Sequence, residues 1–76
     1  MVYEALKNAI ARVLQVYIKE ITADSTFAGD LGADSIDMVQ IFKCVEEELE
    51  IDLPDTNLDM IITVQDAVDW IEKVNE

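Results

Sequence analysis

The stretch that decides the fold is Asp30-Leu31-Gly32-Ala33-Asp34-Ser35-Ile36-Asp37. Within it, a loop that contains glycine is predicted to turn into a helix at Ser35. Asp34 is a residue type that caps helix N-termini, and the charge of Asp37 favours the positive end of the helix dipole. The pattern therefore predicts a small hydroxyl at a helix N-terminus, where unpaired backbone N–H groups favour an anion such as phosphate.

The chain contains no histidine, so no imidazole is available to activate Ser35. This excludes Ser–His–Asp triads, Cys–His dyads and histidine metal sites within one chain. Asp34 and Asp37 share a helix face, but a helix tip offers no dry pocket that would separate two carboxyl pKa values. We therefore predict no catalytic residue and no metal site. Ser35 is interpreted as a hydroxyl that another enzyme modifies.

The chain has 76 residues, 51% of them hydrophobic, which suits one small domain with its own core. We treat residues 1–76 as that domain. Cys44 is the only cysteine, so no intramolecular disulfide is expected. No apolar run approaches the roughly 20 residues of a membrane span, and the N-terminus lacks a secretory pattern. We expect a cytoplasmic protein, with a processed organellar form as the alternative.

The net charge of −12 is concentrated in the second part of the chain. Residues 1–33 carry four acidic and three basic side chains, a net of −1, whereas residues 34–76 carry thirteen acidic and two basic ones, a net of −11. Such acidity makes nucleic acid and anionic membranes poor partners and basic protein surfaces good ones. Solubility alone also explains an acidic surface, but the uneven distribution favours the partner interpretation.

The hydrophobic pattern before Ser35 predicts one helix followed by a long loop. Residues 2–17 place apolar side chains at helical spacing, on a face made of Leu6, Ile10, Val13, Leu14 and Tyr17. Residues 18–33 lose this period and contain both glycines, so they are predicted to form a loop. We expect the side chains of Phe27 and Leu31, which lie in this loop, to be buried in the core.

A second helix is predicted over residues 35–49. Its buried stripe consists of Met38, Ile41, Phe42, Val45 and Leu49, and its opposite face carries Ile36, Gln40, Lys43 and Glu47. Ile36 is thus a large apolar residue on the solvent side, next to Ser35. Cys44 lies just outside the stripe and is expected to be a small packing residue.

The pattern breaks at Pro54, beyond which Asp55 or Asn57 is placed to cap a short helix over residues 58–61. A final helix is predicted to start at Thr63, with an inward stripe of Val64, Ala67, Val68, Ile71 and Val74. Three longer helices and one short helix predict an all-α fold, a small four-helix bundle with a long loop between helices 1 and 2.

The run Leu31-Gly32-Ala33-Asp34-Ser35-Ile36-Asp37 resembles the Asp-Ser-Leu signature of acyl carrier proteins, with isoleucine in place of leucine. The resemblance continues at the family's spacings through Val45-Glu46-Glu47-Glu48-Leu49, Leu53-Pro54-Asp55 and Ile62-Thr63-Val64-Gln65-Asp66-Ala67-Val68. It covers nearly the whole chain. Length, acidity and the Gly-Ala-Asp-Ser context are similar to the discrete carriers of fatty acid synthesis (type II).

The resemblance implies a bundle whose Ser35 receives 4′-phosphopantetheine from coenzyme A. A phosphopantetheinyl transferase (holo-ACP synthase) attaches this arm with the help of magnesium, and the terminal thiol then carries growing fatty acyl chains as thioesters. The further partners implied are fatty acid synthesis enzymes with basic docking patches. We expect the carrier itself to be a monomer.

By position, the resemblance assigns partner contacts to Asp34, Ile36, Asp37, Glu46 and Glu47. Gln40 and Lys43 share the outward face but stand where fatty-acid carriers usually have glutamate and an apolar residue, so they lower its negative charge. The resemblance also implies an acyl pocket lined by Phe27, Leu31, Met38, Ile41, Leu58 and Ile61, for which ordinary core packing is the alternative.

Two other functions stay open at this point. One is a carrier for a different acyl group, such as a polyketide, aminoacyl or D-alanyl group. The other is an unmodified acidic module that acts by docking to a larger complex. The first differs from the fatty-acid carrier in the enzyme that loads the arm, and the second in having no arm.

Overall fold

Three α-helices make up most of the molecule in the computed structural model, which describes residues 1–54 and 58–75. They are α1 (Val2–Leu14), α2 (Ser35–Leu49) and α3 (Val64–Val74), and two short 3₁₀ turns span Ile18–Glu20 and Leu58–Met60. No strand forms in the described ranges, where Thr26 and Thr63 make an isolated antiparallel bridge.

The predicted all-α fold class is confirmed. The predicted short helix takes the form of the 3₁₀ turn Leu58–Met60. Its predicted caps, Asp55 and Asn57, lie outside the described residues. Helix α2 has the bounds that the sequence predicts, and the capping signal at its start is local to Asp34.

Helix α1 buries Ala5, Leu6, Ala9 and Ile10 and packs mainly against α2. The prediction that its apolar face extends to Tyr17 is wrong. The helix ends at Leu14 because Gln15 adopts a left-handed conformation with φ of 57°, which stops the helical hydrogen bonding. Tyr17 therefore lies beyond the helix, with 72% of its surface exposed.

Helix α3 begins one residue later than predicted, since Thr63 is its N-cap. The Thr63 hydroxyl accepts from the Asp66 N–H at 3.0 Å, and the Asp66 carboxylate accepts from the Thr63 N–H at 3.0 Å and the Ile62 N–H at 3.2 Å. The N–H groups of Thr63 and then Ile62 hold the pKa of Asp66 below its usual range, because they stabilise the charged form.

The core is one cluster to which all three helices contribute. Phe42 of α2 joins its parts, since its ring centroid lies 5.3 Å from Trp70 of α3 in an edge-on arrangement and 6.5 Å from Phe27 of the long loop. The predicted burial of Phe27 is confirmed, and Leu31 packs partly buried against the cluster. Val74, predicted to face inward, is exposed because it is the last residue of α3.

The long loop is fixed to the start of α3 by backbone hydrogen bonds. The Phe27 N–H donates to the Ile62 carbonyl at 3.0 Å, and the Val64 N–H donates to the Ser25 carbonyl at 2.9 Å. Farther along the loop, the Ala33 N–H donates to the Phe27 carbonyl at 2.8 Å. The residues that lead into Ser35 are thereby held against the body of the protein.

Candidate functional site

Ser35 is the first residue of α2, and it is exposed. The Asp37 N–H donates to Asp34 Oδ1 at 2.8 Å, and the Asp34 N–H donates to Asp37 Oδ2 at 3.2 Å. This reciprocal pair is a capping box, which confirms Asp34 as the N-cap. The box fixes the helix tip and leaves the serine hydroxyl on the outside.

The turn before the tip depends on its two glycines. Gly32 has φ of +68°, a left-handed conformation that L side chains rarely adopt. A Cβ on Gly29 would lie 2.8 Å from Thr26 Oγ1, which itself accepts from the Asp30 N–H at 2.8 Å. The Thr26 N–H in turn donates to Asp30 Oδ2 at 2.9 Å. These contacts hold the loop in the shape that presents Ser35.

The tip of α2 retains hydrogen-bonding capacity for an anion. The N–H groups of Ser35 and Ile36 have no protein acceptor among the described residues, because the capping box uses the N–H groups of Asp34 and Asp37. Such N–H groups and the positive end of the helix dipole suit a phosphate oxygen. An exposed hydroxyl beside two free donors therefore fits a phosphodiester.

The only other serine of the chain, Ser25, differs from Ser35 in its environment. Ser25 is buried, and its Oγ accepts from the Thr22 N–H at 3.0 Å. A modifying enzyme cannot reach this hydroxyl without opening the loop. Of the two serines, Ser35 alone is accessible.

A cavity of about 410 Å³ opens beside Ser35, and we call it the proximal cavity. One wall is α2 and the other is the segment around the 3₁₀ turn Leu58–Met60. Its lining comprises Ala28, Ala33, Asp34, Ser35, Met38, Val39, Leu58, Asp59 and Ile61. Apolar side chains thus lead from the serine into the space between the two walls.

A second cavity of about 290 Å³, the distal cavity, lies farther along α2. It shares Val39 and Leu58 with the proximal cavity and is otherwise lined by Phe42, Lys43, Glu46, Leu53 and Pro54. The two shared side chains stand where the cavities meet.

The structure places three of the six predicted pocket residues, Met38, Leu58 and Ile61, on the wall of the proximal cavity. The other three, Phe27, Leu31 and Ile41, belong to or pack against the core cluster and do not line it. The sequence interpretation missed Val39, although a residue four positions after Ser35 lies on the same helix face. That spacing was a usable signal.

The predicted partner-contacting residues differ in how freely they present their side chains. Ile36 is 68% exposed, and the side chains exposed with it are Asp34, Gln40, Lys43 and Glu47. Asp37 is half-buried within the capping box. Glu46 is also half-buried, and its Oε2 accepts from the Leu53 N–H at 2.7 Å. The Glu46 carboxylate therefore also holds the segment that follows α2.

Known proteins share both the sequence and the shape of this chain. A family model described as "Phosphopantetheine attachment site" matches residues 4–71. Acyl carrier proteins from three strains of Clostridium perfringens are 45% identical over 74 residues, which cover 97% of this chain and 97% of theirs. The chain belongs to the acyl carrier protein family.

Further relatives support this membership. An acyl carrier protein of Clostridium acetobutylicum is 40% identical over 76 residues, covering 100% of this chain and 99% of its own. A solved structure from Mycobacterium tuberculosis, of a protein assigned as an acyl carrier protein, superposes with a TM-score of 0.82 at 28% identity. That match covers 97% of this chain and 99% of the other.

The prosthetic group of this acyl carrier protein is 4′-phosphopantetheine, the group for which the matched domain is the attachment site. Family membership also implies a phosphopantetheinyl transferase and acyl-handling enzymes as partners in general terms. Across residues 1–54 and 58–75, no helix has the length and hydropathy needed to cross a bilayer.

Proposed function

We propose that this acyl carrier protein carries growing fatty acyl chains as thioesters on a 4′-phosphopantetheine arm attached to Ser35 Oγ. Residues 1–76 act as one monomeric carrier domain in the cytoplasm. The chain itself performs no catalysis, and its chemistry is supplied by the enzymes that it visits.

The observation that carries the proposal is the position of Ser35. It is the accessible serine of the chain, it stands at the tip of α2, and it lies on the wall of the proximal cavity. The N–H groups of Ser35 and Ile36, which have no acceptor in the described part of the chain, support this site because such groups suit a phosphate oxygen. Bound there, the arm supplies a terminal thiol that forms thioesters.

The proximal cavity supports the proposal that the cargo is an apolar chain. Met38 and Val39 on one wall, and Leu58 and Ile61 on the other, offer an apolar surface that shields a hydrocarbon chain from water. We assign the pocket role first to Met38, Leu58 and Ile61. Phe27 and Ile41 belong to the core cluster, and Leu31 packs against it.

The outward face of α2 supports transient docking to basic enzyme surfaces. Asp34 and Glu47 present exposed carboxylates, and Ile36 adds an apolar contact beside the serine. Exposed charges speed encounter and are screened over about 8–10 Å at physiological salt, which suits a carrier that must leave each enzyme. Gln40 and Lys43 lower the charge of this face and are proposed to tune the choice of partner.

The attachment site is tested by incubating the protein with coenzyme A, magnesium and a phosphopantetheinyl transferase, followed by intact-mass measurement. Wild type is expected to gain one phosphopantetheinyl group and Ser35→Ala none. Ser25→Ala is the matched control, because it removes the other hydroxyl of the same type and is expected to gain the group. A full mass gain in Ser35→Ala would refute the assignment of Ser35.

The fatty-acid assignment is tested separately by loading the modified protein. A malonyl transferase or a fatty acyl synthetase of the discrete fatty acid system is expected to charge the thiol, and an aminoacyl or D-alanyl ligase is not. Charging by the ligase alone would assign the protein to a different class of carrier. The assignment of Ser35 as the attachment site would be unaffected. The fatty-acid assignment can therefore fail while the attachment of the arm to Ser35 stands.

A further inference from the structure

Met60 and Ile62 form an exposed apolar pair that the proposed function leaves unused, and we call it the 60/62 patch. The exposed fraction is 72% for Met60 and 60% for Ile62. A single exposed apolar side chain is ordinary in a soluble protein. Here two large ones are separated by one residue on a short segment, and exposed apolar patches mark interaction surfaces.

The 60/62 patch borders the proximal cavity. Asp59 and Ile61 line that cavity, so the residues next to each of them in the chain, Met60 and Ile62, stand at its edge with their side chains in solvent. The α2 wall of the same cavity bears Val39, which is 45% exposed, and Ile36, which follows Ser35 of that wall in the chain, is 68% exposed. Exposed apolar side chains thus flank the mouth on both of its walls.

The backbone of the patch is rigidly held. The Ile62 carbonyl accepts from the Phe27 N–H at 3.0 Å, and the Ile62 N–H donates to Asp66 Oδ2 at 3.2 Å. The Ile61 N–H donates to the Leu58 carbonyl at 3.1 Å, which closes the 3₁₀ turn beneath Met60. A backbone held by such hydrogen bonds has less conformational entropy to lose on binding than an unconstrained one.

We infer that the 60/62 patch is a second docking contact for the phosphopantetheinyl transferase that modifies Ser35. The inference rests on the proposed function and adds a contact on the opposite wall of the cavity from α2. An enzyme that brings its reacting groups to Ser35 Oγ covers the mouth of the proximal cavity, so its footprint reaches both rims. The surface that meets the patch is apolar and bordered by basic side chains, because residues 34–76 carry a net charge of −11.

The test compares transfer kinetics of wild type with those of the double variant Met60→Gln/Ile62→Thr. Both changes are neutral, so the net charge and its long-range steering are unchanged. The expected result is a fall of about tenfold in kcat/KM for arm transfer, carried mainly by KM, because two apolar contacts are lost. Ile18→Thr is the matched control, since Ile18 is 41% exposed in a different element and is expected to stay within about twofold of wild type.

Measurements at high salt distinguish the apolar contact of the 60/62 patch from the ionic contact proposed for Glu47. The loss in the double variant is expected to persist at about 0.5 M NaCl, whereas the loss in Glu47→Gln fades because ionic contacts are screened. Thermal unfolding followed by circular dichroism checks that the double variant folds as wild type does.

Two outcomes overturn the inference. One is an unchanged kcat/KM in a folded double variant. The other is a concentration-dependent dimer of wild type that the double variant abolishes, which would assign the patch to self-association. A wild-type protein that never gains the arm refutes the proposed function instead, so the two failures are distinguishable.

Discussion

Asp34 and Asp37 bind each other's backbone across the first turn of α2, with N–H to carboxylate distances of 2.8 and 3.2 Å. Ser35 lies between them and takes no part in the exchange among the described residues. The two carboxylates thus stabilise the start of α2, in addition to the partner contacts proposed for them. Their effects on stability and on partner recognition can be separated by substitution.

Asp34→Ala is expected to lower the free energy of unfolding by about 1 kcal/mol, because the Asp37 N–H loses its acceptor. Asp34→Ser keeps a capping oxygen and is expected to retain most of that stability while losing the charge. Urea denaturation measures both. If arm transfer slows equally in the two variants although only one is destabilised, the charge of Asp34 acts in recognition. Equal destabilisation by Ser and Ala would contradict the capping role.

Glu46 is expected to contribute to stability more than its neighbour Glu47 does. Glu46→Ala leaves the half-buried Leu53 N–H without its acceptor at 2.7 Å, at a cost of about 1–2 kcal/mol in unfolding free energy. Glu46→Gln keeps an amide oxygen as acceptor and is expected to lose less. Glu47→Ala is the control on the exposed side of the same turn. Matching denaturation curves for the two alanine variants would argue against the structural role.

Gly29→Ala is expected to destabilise the loop before Ser35 by about 1–2 kcal/mol, because the new Cβ lies 2.8 Å from Thr26 Oγ1. The clash disappears when the threonine hydroxyl is absent. The same glycine substitution made in a Thr26→Ala background is therefore expected to cost less, and a double-mutant cycle measures the difference. An additive result would show that the loop relaxes around the methyl group without using Thr26.

Asp66 makes stability depend on pH. Its pKa is lowered in the folded protein, mainly by the Thr63 N–H, so its contribution is present above the ordinary carboxyl pKa and is lost as pH falls through the lower folded value. Wild type is expected to exceed Asp66→Asn in stability at neutral pH, with the gap closing below about pH 4. Asp24→Asn, at an exposed loop position, allows subtraction of the general effect of removing one negative charge. A gap that stays constant from neutral to acidic pH would rule out this role.

Local signals explain which parts of the fold the sequence predicts. Asp34 caps α2 within its own first turn, so the start of that helix is predicted correctly. The end of α1 is not, because Gln15 in a left-handed conformation carries no glycine-like signal, and the chain direction after it is set by tertiary packing. The start of α3 is predicted to within one residue, because its N-cap Thr63 is also a local signal.

The features of the candidate site that depend on local structure are predicted from the sequence, whereas those that depend on tertiary packing are not. Exposure of Ser35 and Ile36 follows from their place on α2 and is confirmed by the structure. The cavities arise between α2 and the segment around Leu58–Met60, so which apolar side chains line them depends on how the two approach. Periodicity separates buried from exposed side chains, but it does not show that Met38 of the core also lines a cavity whereas Ile41 of the core does not.

The contact between Phe42 and Trp70 makes the intrinsic fluorescence of Trp70 sensitive to the position of the Phe42 ring. Trp70 is the sole indole of the chain, its ring meets Phe42 at 5.3 Å, and Phe42 forms part of the distal cavity. A guest that pushes on the Phe42 ring alters the surroundings of the fluorophore. In the carrier function proposed above, emission from the unlabelled protein is therefore expected to change when cargo reaches the Phe42-lined distal cavity and to stay constant when cargo stays in the Met38-lined proximal cavity.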